Sequence, residues 1–309
     1  MDRKEKGRVQ AASSNSRASN YSFADSAAQF RDAMLEAGLQ PPEHIEPGVL
    51  HRFPGVGKGP GNRAGWCWLF DDGLGGCFGD WAAGLDETWQ ARRDKPMSRS
   101  ECAAHRHQMA KAKAAREDAQ RRQRAETRET AGRTWKGTSA VERHPYLDTK
   151  GVHSYGIRLT TQPLEIPFSW RDKPQFIPAN SLVIPLTDTG GVIHSLQFID
   201  EQGNKRFLAG GAIQGHFFPL GDLSHAETIL IAEGFATAAT LDMVTDHTAV
   251  AAFNAGNLKP VAVNLKAAYP RAEFIICADN DRFTDDNPGI TKAREAAVAI
   301  GAKLAIPKF

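Results

Sequence analysis

Three carboxylates follow two short apolar runs near the C-terminus of this 309-residue chain. Glu233 ends the run ILIA and is followed at once by Gly234, whereas Asp279 and Asp281 follow the run FIICA. Such runs predict buried parallel strands, and the carboxyl ends of parallel strands meet at one edge of a sheet, where ligands bind. We therefore expect Glu233, Asp279 and Asp281 to lie close together although they are distant in sequence.

Carboxylates that share one sheet edge repel each other unless a cation neutralises them. Carboxylate oxygens are ligands that Mg²⁺ or Mn²⁺ accepts, so the pattern predicts a metal-dependent chemistry at phosphate groups, in which all three acids are catalytic and metal-binding. The alternative interpretation is that they are structural acids at strand ends. The four cysteines lack the paired spacing of a zinc ribbon, and we expect no zinc.

Basic and glycine residues supply candidate partners for a nucleotide or template strand. Lys205 and Arg206 follow a hairpin turn and precede several glycines, a layout that lets cations and backbone approach a phosphate, although basic residues after a turn are also commonplace. We assign Gly234 to the same site because a Cβ beside the metal would crowd the phosphate.

Two further segments could bind nucleic acid. Residues 50–89 are rich in glycine and aromatics, and Trp66 and Trp68 are either a stacking platform for bases or the core of a small domain. Residues 98–131 predict a long solvated helix whose arginines could follow a phosphate backbone or could simply face solvent. The candidate arginines of this helix are Arg116, Arg121, Arg122 and Arg124.

The chain divides by composition into five parts. They are a disordered tail (1–20), a small aromatic and glycine-rich α+β domain (21–95), a basic helical linker (96–138), a β-rich subdomain (139–222) and an α/β domain (223–309). In the last part, strands and helices alternate in the manner of a parallel, doubly wound sheet, and a helix is expected from Phe235 to about Val244.

Charge is unevenly distributed along the chain. The formal net charge is +2, but the segment from Arg92 to Arg128 carries +7. No apolar run approaches the ~20 residues that span a bilayer, and the first residues are polar, so we expect a cytoplasmic protein without membrane contact.

The combination ILIAEG, AFNAGNL and IICADND resembles the Toprim fold of bacterial-type primases, type IA and type II topoisomerases and some nucleases. The segments VIPLTDTGGVIHSLQFI, KRFLAGG and RHPYLDTKGV resemble those of plasmid and phage primases in particular. The resemblance implies a fold in which a C-terminal Toprim domain with a Rossmann-like parallel sheet follows a β-rich primase-core subdomain.

This resemblance implies a DNA primase, a nucleotidyltransferase that synthesises short primers on single-stranded DNA by two-metal phosphoryl transfer in plasmid or phage replication or transfer. Its partners would be the DNA template, nucleoside triphosphates, and a helicase or another replication protein. Glu233 would be the acid nearest the reacting groups, and Asp279 and Asp281 would hold Mg²⁺ or Mn²⁺ on the phosphates. Relatives usually continue into a further acidic segment, so we expect the Toprim domain to be truncated or the activity to be reduced.

The sequence is compatible with two alternative functions. A Toprim nuclease would use the same acids to activate water and cut a phosphodiester bond. A non-catalytic module that binds nucleic acid or a partner protein would keep the fold without the reaction.

Overall fold

The computed structural model describes residues 23–81, 83–91, 98–171, 173–284 and 287–308. The predicted tail (1–20) lies outside these ranges. The chain forms two compact units, residues 1–116 and 117–309, and a long helix contributes to both. Among the described residues, no helix combines the length and apolar character that crossing a bilayer requires.

The first unit contains an antiparallel sheet of four strands in the order β1-β2-β3-β4. Its elements are α1 (Phe23–Glu36), β1 (His51–Phe53), β2 (Gly65–Leu69), β3 (Gly75–Asp80), β4 (Leu85–Gln90) and the first part of α2 (Arg99–Lys136). Side chains alternate between the two faces of a strand. Cys67 and Leu69 therefore face the core formed with α1, whereas Trp66 and Trp68 face Ala112 of α2.

Burial on both faces decides between the two interpretations of the tryptophans. Trp66 is 1% exposed and Trp68 is 5% exposed, so both are core side chains and cannot stack on bases. Their prediction as nucleic-acid-binding residues is therefore wrong for this structure. The glycines of β3 serve the same packing, because a Cβ on Gly76 would lie 2.7 Å from the Phe30 ring of α1.

The second unit begins with the rest of α2 and an antiparallel sheet in the order β11-β10-β9-β6-β5. The bounds are β5 (Ser139–Ala140), α3 (Pro145–Lys150), β6 (Arg158–Leu159), β7 (Leu164–Ile166), β8 (Gln175–Ile177), β9 (Leu182–Thr187), β10 (Ile193–Ile199) and β11 (Lys205–Phe207). Strands β7 and β8 form a separate hairpin. Ala131 of α2 packs in one core with Val183, Leu196 and Phe198.

The helix α2 is therefore less solvated than its composition predicts. It has few large apolar residues, but Ala112, Thr127 and Ala131 are almost completely buried. Small side chains let a helix approach a sheet closely, and this is why the sequence shows no apolar stripe where the contacts occur.

A mainly parallel sheet follows in the order β12-β14-β13-β15-β16. The bounds are β12 (Phe218–Pro219), β13 (Thr228–Ala232), α4 (Phe235–Val244), β14 (Thr248–Ala251), a 3₁₀ turn (Ala255–Asn257), α5 (Leu258–Ala268), β15 (Glu273–Cys277), α6 (Pro288–Ile300) and β16 (Lys303–Ala305). The predicted α/β architecture is confirmed, and α4 has the expected limits. Strand β12 is antiparallel to β14, so the preceding β-rich segment completes this sheet.

The two faces of this sheet carry different helices. On one face, Phe235 of α4 shares a core with Leu182 and Leu186 of β9. On the other face, α5 and α6 pack against Ile229 and Ile276 of the central strands. Both faces of β13 and β15 are thus covered, and this explains why their sequences are continuous apolar runs.

Candidate active site

The register of the central strands brings the predicted acids to one edge of the sheet. Ala232 of β13 pairs with Cys277 of β15, so Glu233 and Asp279 leave neighbouring strands almost side by side. Strand β14 pairs with β13 on the other side, and the backbone N–H of Ala255 beyond it donates a hydrogen bond to Glu233. Three strand ends therefore contribute to one site.

Electrostatics show how closely the acids interact. Burial raises the pKa of Glu233, and the negative charges of Asp279 and Asp281 raise this pKa further. The pKa of Asp279 is also raised, first by burial and then by Asp281. Such mutual repulsion is characteristic of carboxylates that need a cation or a proton to share their site.

The carboxylate of Asp281 has a second role in the fold. Its Oδ2 accepts a hydrogen bond of 3.0 Å from the N–H of Gly289 in the first turn of α6. Its own N–H donates to Oδ1 of Asn287, the residue before that helix. Asp281 therefore holds the N-terminus of α6, and only a Gly fits at 289, because a Cβ there would lie 2.3 Å from the Asp279 carbonyl oxygen.

The metal prediction is only partly supported by this geometry. Across the described residues, no group of three or more His, Cys, Asp or Glu side chains is already arranged to hold a metal ion. The donor chemistry nevertheless suits a hard cation, because Glu233 and Asp279 are desolvated carboxylates with raised pKa values.

Lys205 lies near these acids. Burial and the charge of Lys150 lower the pKa of Lys205, while the charges of Glu233 and Asp279 oppose this shift. A Cβ built on Gly234 would lie 3.8 Å from the Lys205 Nζ atom. The ammonium group therefore lies near the first turn of α4, whose N-cap residue, Gly234, provides no side-chain hydrogen bond.

Gly234 itself does not require the conformational freedom of glycine. Its φ of −101° and ψ of 153° are extended values that any residue adopts, and the nearest atoms to a built Cβ are at ordinary contact distance. The predicted crowding by a Cβ is therefore absent among the protein atoms. A need for glycine at this position would arise only from a bound ligand.

Arg206 is not brought to the acids. Neighbouring side chains on a strand point to opposite faces, so Arg206 projects away from the side of β11 that carries Lys205. Its guanidinium group lies 3.8 Å from the Asp200 carboxylate and donates to the Phe176 carbonyl oxygen. The structure thus corrects the pairing of Lys205 with Arg206 as joint nucleotide ligands.

The four candidate arginines of α2 differ from one another in their surroundings. Arg116 forms an ion pair with Asp86 at 2.8 Å and lies over the Trp66 ring. Arg121 and Arg122 share Asp118, each at 2.6 Å. Arg124, in contrast, lines an open groove together with Lys259 of α5.

Lys150 and Ala255 were missed by sequence reasoning. Lys150 is the last residue of α3 and is close enough to Lys205 for its charge to lower the pKa of that lysine. Both residues belong to segments that were singled out, RHPYLDTKGV and AFNAGNL, but no local pattern indicates that these segments meet the acids. Only the tertiary fold brings them there.

Comparison with known proteins defines the class of the C-terminal domain. Residues 228–306 match the Toprim domain family, so the chain contains a Toprim domain. The fold class predicted from the sequence is thereby confirmed.

Most of the chain is similar to plasmid-type DNA primases, as its sequence segments predicted. It is 33% identical over 277 residues to a protein named DNA primase TraC from Escherichia coli, and 31% identical over 296 residues to a second protein of that name and organism. These alignments cover 86% and 91% of this chain but only 25% and 19% of the relatives. The chain therefore spans about a quarter or less of their length.

Solved structures of primases are also similar in outline. The RNA polymerase domain of Mycobacterium tuberculosis primase DnaG matches with a TM-score of 0.43 and 13% identity, covering 60% of this chain and 75% of that one. The DnaG primase catalytic domain bound to ssDNA matches with a TM-score of 0.42 and 12% identity, covering 61% and 72%.

Proposed function

We propose that this chain is the catalytic part of a DNA primase that joins nucleotides into short primers on a single-stranded DNA template. The observation that carries the proposal is the group of desolvated acids, with Lys205 beside them, at the strand ends of a Toprim domain in a primase-like chain. Nucleoside triphosphates are the substrates, and plasmid or phage replication or transfer is the setting. A helicase or another replication protein is a further partner.

Glu233, Asp279 and Asp281 would hold Mg²⁺ or Mn²⁺ in this reaction. Bound divalent cations would stabilise the negative charge of the attacking 3′-hydroxyl and of the departing pyrophosphate. Binding would require Asp281 to share its carboxylate between the cation and the first turn of α6. The hydrogen bond from Ala255 would keep the Glu233 carboxylate oriented toward the site.

The cationic side of the site would bind the triphosphate. Lys205 supplies a charge near the first turn of α4, and a helix N-terminus presents unpaired backbone N–H groups that favour an anion. Lys150 adds a second positive charge close to Lys205. Burial and the charge of Lys150 lower the pKa of Lys205, and a bound phosphate would favour its charged form.

The same acids also suit a nuclease, and a non-catalytic nucleic-acid-binding module is the third possibility. The three functions differ in their products. A primase incorporates labelled nucleotides, a nuclease releases fragments from labelled DNA, and a module does neither although it binds DNA.

Primer synthesis on single-stranded DNA with Mg²⁺ or Mn²⁺ tests the proposal. We expect Glu233→Gln and Asp279→Asn each to reduce synthesis by about 10²-fold or more, because each removes charge that acts at the reacting phosphate. Calorimetric titration with Mn²⁺ should show binding to the wild type that is weakened in both variants. Synthesis at the wild-type rate in both variants would reject the assignment.

Substitutions of two neighbouring residues on β11 test the nucleotide site separately. Lys205→Gln should raise the KM for nucleoside triphosphate about 10- to 100-fold, as expected for the loss of a charged hydrogen bond. Arg206→Gln should leave this KM close to that of the wild type, because Arg206 contacts Asp200 instead. Equal effects of the two substitutions would contradict this assignment of Lys205.

A further inference from the structure

An open groove of about 510 Å³ lies between two helices of the second unit. Arg124 of α2 contributes one side, and Lys259 and Asn264 of α5 contribute the other. The loop that contains Gln214 and Gly215 forms its floor. All of these residues belong to the unit that carries the acids.

The floor of the groove is fixed by buried hydrogen bonds. The Asn257 side chain accepts a bond of 2.7 Å from the N–H of Gly215 and donates to the carbonyl oxygens of His216 and Ala252. Asn264 donates to the Gly215 carbonyl oxygen at 3.0 Å. Gly215 has a φ of +78°, and a Cβ there would lie 2.6 Å from the Asn264 amide nitrogen. The loop is therefore held tightly against α5.

The charge of the groove is positive and is not neutralised. Arg124 and Lys259 are exposed, and within the ranges that the structure describes neither forms an ion pair or a side-chain hydrogen bond. His216 adds no charge at neutral pH, because burial, followed by the charge of His194, lowers its pKa. Arg121 and Arg122, only a few residues from Arg124, share the carboxylate of Asp118.

The groove begins close to the acids. Ala255, which donates to Glu233, precedes Lys259 by four residues of helical backbone. Four such residues rise roughly 6–8 Å along the axis. A strand that leaves the site in this direction would therefore reach Lys259, which lines the groove together with Arg124.

We infer that this groove binds the phosphate backbone of single-stranded DNA, with Arg124 and Lys259 as the cations that contact it. The inference rests on the proposed primase function, because it assumes that the DNA strand bound at the acids continues into the groove. Arg124 and Lys259 line one open groove, and cations of this kind contact phosphates without reading the base sequence. The groove thereby holds a strand of any sequence.

Salt dependence of DNA binding tests the inference. Each phosphate contact on a single strand contributes about 0.7 to the slope of log affinity against log salt concentration. Fluorescence anisotropy with two labelled oligodeoxynucleotides of unrelated sequence would give this slope. We expect Arg124→Gln and Lys259→Gln each to weaken binding of both oligonucleotides equally and to reduce the slope by about 0.7.

The control is a double substitution on the same helix. Arg121→Gln with Arg122→Gln removes as much charge as the double groove variant, which combines Arg124→Gln with Lys259→Gln. The charge that the control removes, however, is already partly offset by Asp118. We expect it to change the slope much less, and Arg124→Lys to restore most of the wild-type slope. All of these side chains are exposed, and circular dichroism would verify that the variants fold.

The outcomes separate this inference from the proposed function. An unchanged slope in the double groove variant, an equal loss in the control, or no DNA binding by the wild type would overturn the groove assignment. Primer synthesis by the wild type is measured in the same preparations. If the wild type makes no primers but the groove variants lose the salt-dependent binding, the groove assignment stands and the primase proposal fails.

Discussion

Charge at the acid site is unfavourable in the folded protein without a cation. Burial raises the pKa of both Glu233 and Asp279, and the charge of Asp281 raises both pKa values further. A group that binds its proton more tightly when folded makes the protein less stable as pH rises through its raised pKa. The site therefore costs stability at neutral pH, which is common where residues serve chemistry rather than packing.

We predict that neutral variants of these residues are more stable than the wild type in the absence of divalent cations. The unfolded chain releases protons near the ordinary pKa values of 3.8 and 4.5, whereas the folded chain retains them to higher pH. The stability difference between Asp279→Asn or Glu233→Gln and the wild type should therefore grow as pH rises from about 4 and should level off above the raised pKa values.

Thermal unfolding in a metal-free buffer across this pH range would measure the difference. Addition of Mg²⁺ or Mn²⁺ should stabilise the wild type more than either variant, since only the wild type keeps the full set of charges for the cation. Glu295→Gln is a suitable control, because this carboxylate lies on the surface of α6 and pairs with Lys292. A stability difference that shrinks with rising pH would contradict the raised pKa values.

Glycine-rich strands determine how the elements of the first unit pack. The segment 50–89, which is rich in glycine and aromatic residues, forms the four antiparallel strands β1–β4. The sequence did not reveal that α1 and α2 cover both faces. Aromatic residues at alternating positions are equally compatible with an exposed stacking surface, and only helices distant in sequence decide between the two.

We predict that Gly76→Ala destabilises the protein by about 1–3 kcal/mol, the usual cost of overpacking a core. The added Cβ would lie 2.7 Å from the Phe30 ring and 2.8 Å from the Trp68 carbonyl oxygen, so both the ring and strand β2 must shift. Gly61→Ala is the matched control, because a Cβ there meets no atom within 4 Å. Urea unfolding would measure both, and an equal cost for the two substitutions would refute the packing argument.

At the scale of the whole chain, sequence reasoning succeeded where one local signal was sufficient. Apolar runs that end in acids predicted the strands of the Toprim domain and the convergence of Glu233 with Asp279. Sequence reasoning failed where contacts between distant segments decide the outcome, as for the proximity of Lys150 to Lys205. For Arg206, the alternation of side chains along a strand could have indicated that it faces away from Lys205.

The cores of the molecule are also organised by unit. The clusters that contain Phe30 and Trp66 include only residues of the first unit, and those that contain Ile276 and Phe198 include only residues of the second. Among the described residues, therefore, α2 is the element common to both units. Whether the units unfold together depends on how strongly this helix couples them.

We predict that the two units open independently in hydrogen exchange. Gly76→Ala should accelerate exchange in β1–β4 and leave β13–β16 unchanged, whereas Ile276→Ala, which removes a fully buried side chain from β15, should do the reverse. The Ile276 substitution should cost about 2–5 kcal/mol, enough to make the change measurable. Faster exchange in both sheets after either substitution would contradict this prediction. It would mean that the two units unfold cooperatively and that α2 is more than a linker.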